Sequence, residues 1–432
     1  MGARSKSGQL PEGENGKPTT GQKAMTTTIE NTNSATLEKR PDGNLMDASR
    51  EWSSRPADQR FQDLAALKLS VDSRRDRSTH ADVDLSQLLA IPYGADDIQL
   101  QARGEPLNLT NWSFGQLAQT VRAPAAYLRS LPAPLAIDNI NHGLKATHAD
   151  KNQRSANKLL MIRPEEDDNR PLSAPDLPSR LQAVTSPTYG RIWDSDCVSL
   201  VERLQEKSGG KFTNPKAYLP GHYGNEAMAL PSGLYASDHD IFVFMVDGGS
   251  RLDAGPRAQL NRGFFLKNSE TCACTFQLCC FMFNTVCGNH IIWSAQNVNQ
   301  LTIRHSSGGP YRFDSEAWPV LQGYINQSAA PEEATIKAAQ AELLPIEEKE
   351  LTAFASRFSI TKPELRQAIK FANAEEGECR TTWQLVQGLT ASAREISFTD
   401  NRVNLETRAG KILNSIKAPD APVTVPVDGF RN

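Results

Sequence analysis

The chain of 432 residues contains no apolar run long enough to cross a bilayer. Its opening residues are polar and lack the apolar centre of a secretion signal. MGARSK resembles a myristoylation start but has Lys6 where that motif needs Ser or Thr. These absences predict a cytoplasmic protein without a membrane partner, its thiols reduced. Nucleotide motifs are missing too. Ser208-Gly209-Gly210-Lys211 lacks the first glycine of a phosphate-binding loop and the Ser or Thr after its lysine. Neither GxGxxG nor GxSxG occurs, which removes the motif support for a dinucleotide fold or a serine hydrolase. A net charge of −3 gives no global basic signature of a nucleic-acid binder. Hydrophobic residues reach only 39%, and the shortfall lies at the ends. Residues 1–60 and the Pro-rich 418–432 carry too little apolar surface to offset chain entropy, so both are expected to be disordered tails.

Charge is uneven along the chain. Residues 250–312 hold six Lys or Arg against two acids, a balance of +4, whereas residues 331–350 hold two against six, a balance of −4. The richest stretch, 262–312, contains five of the seven cysteines and two apolar segments in strand register. Cys272, Cys274, Phe276 and Leu278 alternate with Thr271, Thr275 and Gln277, which predicts a strand over 271–279 with one buried and one wetter face. Asn268–Glu270 would turn it back onto a strand at 263–267, and Asp247-Gly248-Gly249 reads as another turn. Further strand-like segments lie at 227–230, 241–246 and 298–305. Together they predict an antiparallel meander.

Helices flank it. Residues 61–69 and 84–91 have short helical apolar runs. Thr110 or Asn111 can cap a helix carrying Phe114, Leu117 and Val121, Pro124 can start a second, and Ile137, Ile140 and Leu144 mark a third. Residues 158–163 read as a strand and 194–204 as an amphipathic helix. After Phe313 the pattern is helical, with Thr361-Lys362-Pro363-Glu364 as a capping box. The expected class is α+β: an antiparallel β-meander packed with helices, followed by a C-terminal helical region. The expected division is an N-terminal helical or mixed region at 61–163, a linker at 164–180 with five acids and four prolines in its first fifteen residues, a meander core at 181–312 and helices at 313–417.

Three passages, taken in order, resemble the domain of unknown function 932 family of phage- and plasmid-type proteins. They are LTNWSFGQLAQTVRAPAAYLRSLP with the following 139–144, SPTYGRIWDSD, and FFLKNSE followed by VCGN and IRH. The resemblance spans roughly residues 98–312. It implies a mobile-element protein without an established catalytic activity. The meander with helices is also similar in outline to Rad52-type single-strand annealing proteins, an architectural analogy only.

Cys272, Cys274, Cys279, Cys280, Cys287 and His290 lie within 19 residues, yet their spacing fits tetrahedral zinc poorly, because neighbours in a strand point apart. Small buried core residues are the simpler reading. Cys287 as a nucleophile would need His290 or His305 beside it and has no known local signature. Asp238-His239-Asp240 could hold a metal or be a solvated turn. No catalytic residue, metal site or cofactor is therefore assigned. Single-stranded nucleic acid needs simpler parts: cations for phosphates and rings for bases. Candidates are Arg262, Lys267, Asn268, Arg304, His305, Arg312, Tyr189 and Arg191, with Arg262, Lys267 and Arg304 expected on one exposed face. Trp193, Phe265, Trp293, Ser269 and Asn289 are weaker candidates. The expectation is a non-enzymatic, homo-oligomeric single-stranded DNA-binding or annealing protein. A mobile-element protein that engages a host protein is the alternative, and a metal-dependent enzyme is a third.

Overall fold

A computed structural model describes residues 59–150, 156–164, 179–214, 217–218, 229–230, 233–254, 259–284, 290–291, 300–326, 330–393, 395–396 and 399–416. The segments 1–58 and 417–432, Cys287, Asn289 and Trp293 lie outside the described residues. The architecture is α+β, with two main sheets and a helical C-terminal region. No helix among the described residues is long and apolar enough to cross a membrane.

α1 (Leu64–Asp76) begins at Asp63, whose carboxylate accepts from the Ala66 amide at 2.8 Å. The first sheet holds β1 (Thr79–Asp84), β2 (Leu88–Tyr93), β3 (Asp97–Ala102), β4 (Glu105–Leu109), β5 (Asn157–Pro164) and β6 (Ser179–Thr185). Their order is β1-β5-β6-β4-β3-β2, antiparallel except for the β4–β6 pair. α2 (Asn111–Thr120), α3 (Ala125–Ser130) and α4 (Ala133–Ala149) follow β4. Thr110 caps α2: its Oγ1 accepts from the Ser113 amide and Ser113 Oγ accepts from the Thr110 amide, both at 2.9 Å. Leu117, Val121, Leu128, Ile140 and Leu144 meet Leu100, Leu107, Leu160 and Leu181 in one core.

One expectation changes here. Residues 84–91 are not a helix: a single 3-10 turn at Leu85–Gln87 leads into β2. The run Leu88, Ala90 alternates with exposed Leu89, a period of two that a short apolar cluster conceals. β5 and β6, on either side of the expected linker, are antiparallel neighbours, and residues 165–178 between them lie outside the described residues.

α5 (Asp194–Lys207) and α6 (Gly309–Ile325) pack with α1 on the second sheet. That sheet includes β7 (Phe212–Thr213), and β8 (Ala217–Tyr218) with β9 (Ala229–Leu230) forms a separate two-stranded ladder. β10 (Leu234–Ala236), β11 (Ile241–Asp253), β12 (Gln259–Asn268), β13 (Phe276–Asn284) and β14 (His290–Ile291) then run as an antiparallel meander, with β15 (Gln300–Ile303) on β13. Asp247–Gly249 is no turn but an irregular stretch inside β11, where the register shifts between Val246 and Arg251. The β12–β13 hairpin stands where expected, but β13 starts at Phe276 rather than Thr271. Residues 269–275 form a broad turn in which Cys272 takes φ = +69°.

Both faces of this sheet are buried, not one. Val243, Met245, Phe264, Leu266, Phe276, Leu278 and Cys280 join the core under α1, α5 and α6. Phe242, Phe244, Phe265, Cys279 and Phe281 form a second cluster of stacked rings. Cys279 and Cys280 thus lie in different clusters, as neighbours in a strand must. Each fully buried Phe contributes roughly 1.5–3 kcal/mol.

α7 (Ala330–Ala341), α8 (Glu348–Ser356), α9 (Lys362–Glu375), α10 (Thr382–Ala393) and α11 (Thr399–Asn414) enclose a separate core around Trp383, Leu389, Leu405 and Ile412. Glu364 ties its parts together. It accepts from the Thr361 amide at 2.8 Å and from Arg408 of α11 at 2.7 Å. Against the cost of burial, the Arg408 and Thr361 hydrogen bonds hold its carboxyl down at about 2. A depressed folded pKa stabilises above the unfolded value near 4.5 and is lost as pH falls through about 2. Glu364→Gln should therefore cost about 1–2 kcal/mol at pH 7. In urea unfolding the gap to the parent should close between these two pH values. A gap independent of pH would rule out the ion pair as its source.

Candidate functional site

A cleft of about 960 Å³ opens between the first sheet's helical layer and two turns of the second sheet. One wall is α2, with Trp112, Gly115, Gln116 and Gln119, and the residues after it, Arg122 and Arg129. Lys158 on β5 and residues 184–186 at the end of β6 continue this wall, with Tyr189 just beyond. Opposite stand Asp238 and His239, from the β10–β11 turn, and Cys272, from the β12–β13 turn. The helix explains the first wall. Leu117, Ala118 and Val121 face the core, which leaves Trp112, Gly115, Gln116 and Gln119 at i, i+3, i+4 and i+7 on the other side.

The two walls are joined at Thr271. Its carbonyl accepts from Trp112 Nε1 at 2.9 Å and from Gln116 Nε2 at 2.7 Å. Gln116 Oε1 accepts in turn from the Val184 amide at 2.8 Å, so one side chain spans α2, β6 and the far turn. Trp112 stacks on His239 with centroids 5.5 Å apart and planes 16° off parallel. Tyr189 stacks on His305 at 5.1 Å, and its hydroxyl donates to the Ser269 carbonyl at 2.8 Å and accepts from the Cys272 amide at 3.1 Å. Gly190 lies against the chain so closely that a Cβ would stand 1.8 Å from the Ser306 carbonyl oxygen.

Beneath the cleft floor the residues 268–271 form a buried polar hub. Asn268 Nδ2 donates to the Ile192 carbonyl at 2.9 Å and to Asp194 Oδ1 at 2.7 Å. Glu270 accepts from the Asp194 amide at 2.8 Å and from Arg191, through Nε at 3.0 Å and also through Nη2. Arg191 lies 3.7 Å over the Trp193 ring. Burial, then the Glu270 charge, pushes the Asp194 carboxyl well above the usual carboxylate range.

The predicted binding residues scatter. Arg262 is buried and paired with buried Glu332 at 3.3 Å. Lys267 is 9% exposed and Asn268 0%. The expected shared exposed face is thus corrected: both faces of the meander are covered, and β12 lies between two paired strands. Arg304 is exposed, and exposed Arg312 pairs with Glu316 one turn along α6 at 2.6 Å. Arg191 belongs to the hub, and His305 lies behind Tyr189, holding the Gly190 carbonyl at 3.1 Å through Nδ1. Tyr189 alone of the eight lines the cleft. Sequence reading missed Trp112, Gln116, Arg122 and Lys158. The available signal was a tryptophan on the polar side of an amphipathic helix.

The cleft is basic. Arg122, Arg129 and Lys158 against Asp238 leave it a balance of +2. Asp238 Oδ1 and His239 Nδ1 are 2.6 Å apart, and that hydrogen bond is the main cause holding the Asp238 carboxyl low. Asp240 Oδ1 accepts from Ser237 Oγ at 2.6 Å. Among the described residues no group of three or more His, Cys, Asp or Glu could hold a metal ion. Burial pushes the Cys272 thiol up, the reverse of an activated nucleophile.

Comparison with protein-family models, curated proteins and solved structures finds no match to this chain, so the resemblance to the 932 family rests on the quoted passages.

Proposed function

We propose that the chain is a non-enzymatic single-stranded DNA-binding protein, of the kind that serves annealing or recombination on phages and plasmids, and that the strand occupies the Trp112–Tyr189 cleft. One observation supports this reading: aromatic rings and cations line the same open space. Trp112, His239 and Tyr189 supply flat faces or edges for unpaired bases, and Arg122 and Arg129 supply permanent charge for phosphates. Gln119 adds an amide that tolerates any base. The volume lies at the upper end of the 300–1,000 Å³ range of small-ligand sites, enough for a few nucleotides rather than a duplex.

The test is a titration with single- and double-stranded oligonucleotides at two salt concentrations. Single strands should bind more tightly, with a log–log salt slope of roughly −1.4 to −2 for two or three phosphates. Arg122→Ala should flatten it by about 0.7. A chain that binds no oligonucleotide at low salt would sink the reading and favour a host-protein partner.

A further inference from the structure

Three cations line the cleft, and two are held by the protein itself. Arg122 donates to Asp150 at 2.8 Å, and Arg129 Nη2 donates to the carbonyl of Asn111 at 2.9 Å and to its Oδ1 at 2.6 Å. Lys158 is different. Among the described residues its ammonium has no hydrogen bond and no ion pair, and burial alone lowers its pKa. Its place follows from strand alternation. Lys158 shares a face of β5 with Leu160 and Ile162, which pack under the helices, and it lies where that face emerges into the cleft.

A lysine that serves only to hold phosphate works best fully charged and well solvated. Two guanidiniums already supply permanent charge here. A half-buried amine with no carboxylate partner among the described residues adds something else: burial favours its neutral form, a nucleophile for carbonyl carbon. The carbonyls of the bases are amide-like and unreactive toward amines, whereas the ring-opened sugar left where a base is lost is a free aldehyde. We propose that Lys158 captures the aldehyde of an abasic nucleotide in a bound single strand as a reversible imine. This rests on the single-strand reading of the cleft.

The step balances without an oxidant or reductant. The Nζ lone pair adds to C1′, and the aldehyde oxygen takes a proton to give a carbinolamine. Nζ then shares its electrons with C1′ as the C1′–O bond breaks, and the oxygen leaves as water, carrying both amine hydrogens. His239, hydrogen-bonded to Asp238, lines the same cleft and is the titratable group that would relay protons in this step. Tyr189 and Trp112 line the space that the missing base leaves open.

The experiment uses the full chain and a labelled single strand with one abasic site, made by uracil excision, beside the intact strand. Cyanoborohydride reduces any imine to a stable secondary amine, read on a denaturing gel and located by peptide mass mapping. The parent should give an adduct that maps to Lys158. Lys158→Arg should lower adduct yield per bound strand by at least about tenfold. Lys158→Gln, checked for folding by circular dichroism, gives the same comparison should the arginine variant misfold. Binding of the intact strand without adduct, or an adduct on another lysine, overturns this inference and leaves the binding reading standing. Binding of neither strand overturns both.

Discussion

Trp112→Ala should weaken single-strand binding by about 5- to 150-fold, because one base-stacking ring contributes roughly 1–3 kcal/mol. The fold should survive. Trp112 is partly exposed, and the hydrogen bond it loses, to the Thr271 carbonyl, is backed by Gln116 Nε2 at 2.7 Å on the same oxygen. Trp112→Phe separates the two contributions. It keeps an aromatic face beside His239 and removes only the indole N–H. Anisotropy titrations should therefore rank parent, Phe and Ala in that order, with Phe nearer the parent. If Phe and Ala bind alike, the N–H matters rather than the ring. If both bind like the parent, the strand does not use this cleft.

The same residue shows where sequence reading ran out. Period and capping were legible: Thr110 and Thr361 cap the helices they were expected to cap, and β11–β13 form the expected meander. Those features depend on neighbours within a few residues. In the first sheet the strand read at 158–163 stands as β5, but the sheet itself was missed because β6 pairs parallel with β4, some seventy residues earlier. Nothing local encodes such a pairing. Cys272 and Cys274 continue the alternation of β13, yet Ser269 Oγ takes the amides of Thr271 and Ala273, at 3.2 and 2.8 Å, and holds them in a turn. A short polar side chain there outcompetes the ladder. The basic count over 250–312 misled for another reason. Charge along a strand says nothing of burial when both faces of the sheet are covered, and Arg262 finds Glu332 from a helix seventy residues on. Lys158 and Trp112 come together only through the packing of α2 on β6, so no spacing in the sequence could pair them.

Glu270→Ala should destabilise the protein by about 3–5 kcal/mol, the cost of breaking a buried ion pair from one side. Its carboxylate satisfies the Arg191 guanidinium and the first amide of α5 together, and both partners are largely out of water. Removing it leaves Arg191 with Ser78 Oγ at 3.3 Å, the Asp194 charge and the Trp193 ring, none of which replaces a carboxylate pair. The turn that carries Thr271 and Cys272 should loosen as well, so binding in the cleft should fall in parallel. The hub also sets a pH dependence. Because burial and the Glu270 charge raise the folded pKa of Asp194, its contribution is complete below the unfolded value of 3.8 and is lost as pH rises through the raised one. Asp194→Asn keeps an acceptor for Asn268 and cannot ionise. The stability of the parent relative to Asp194→Asn should thus decline as pH rises from below 4. In the Glu270→Ala background that decline should shrink, since one of its two main causes is gone. Urea unfolding across this pH range reads both effects. A Glu270→Ala protein with the parent's midpoint would mean that the hub does not hold the turn, and the cleft would then owe its shape to Ser269 within the turn and to Trp112, Gln116 and Tyr189 bonded to it.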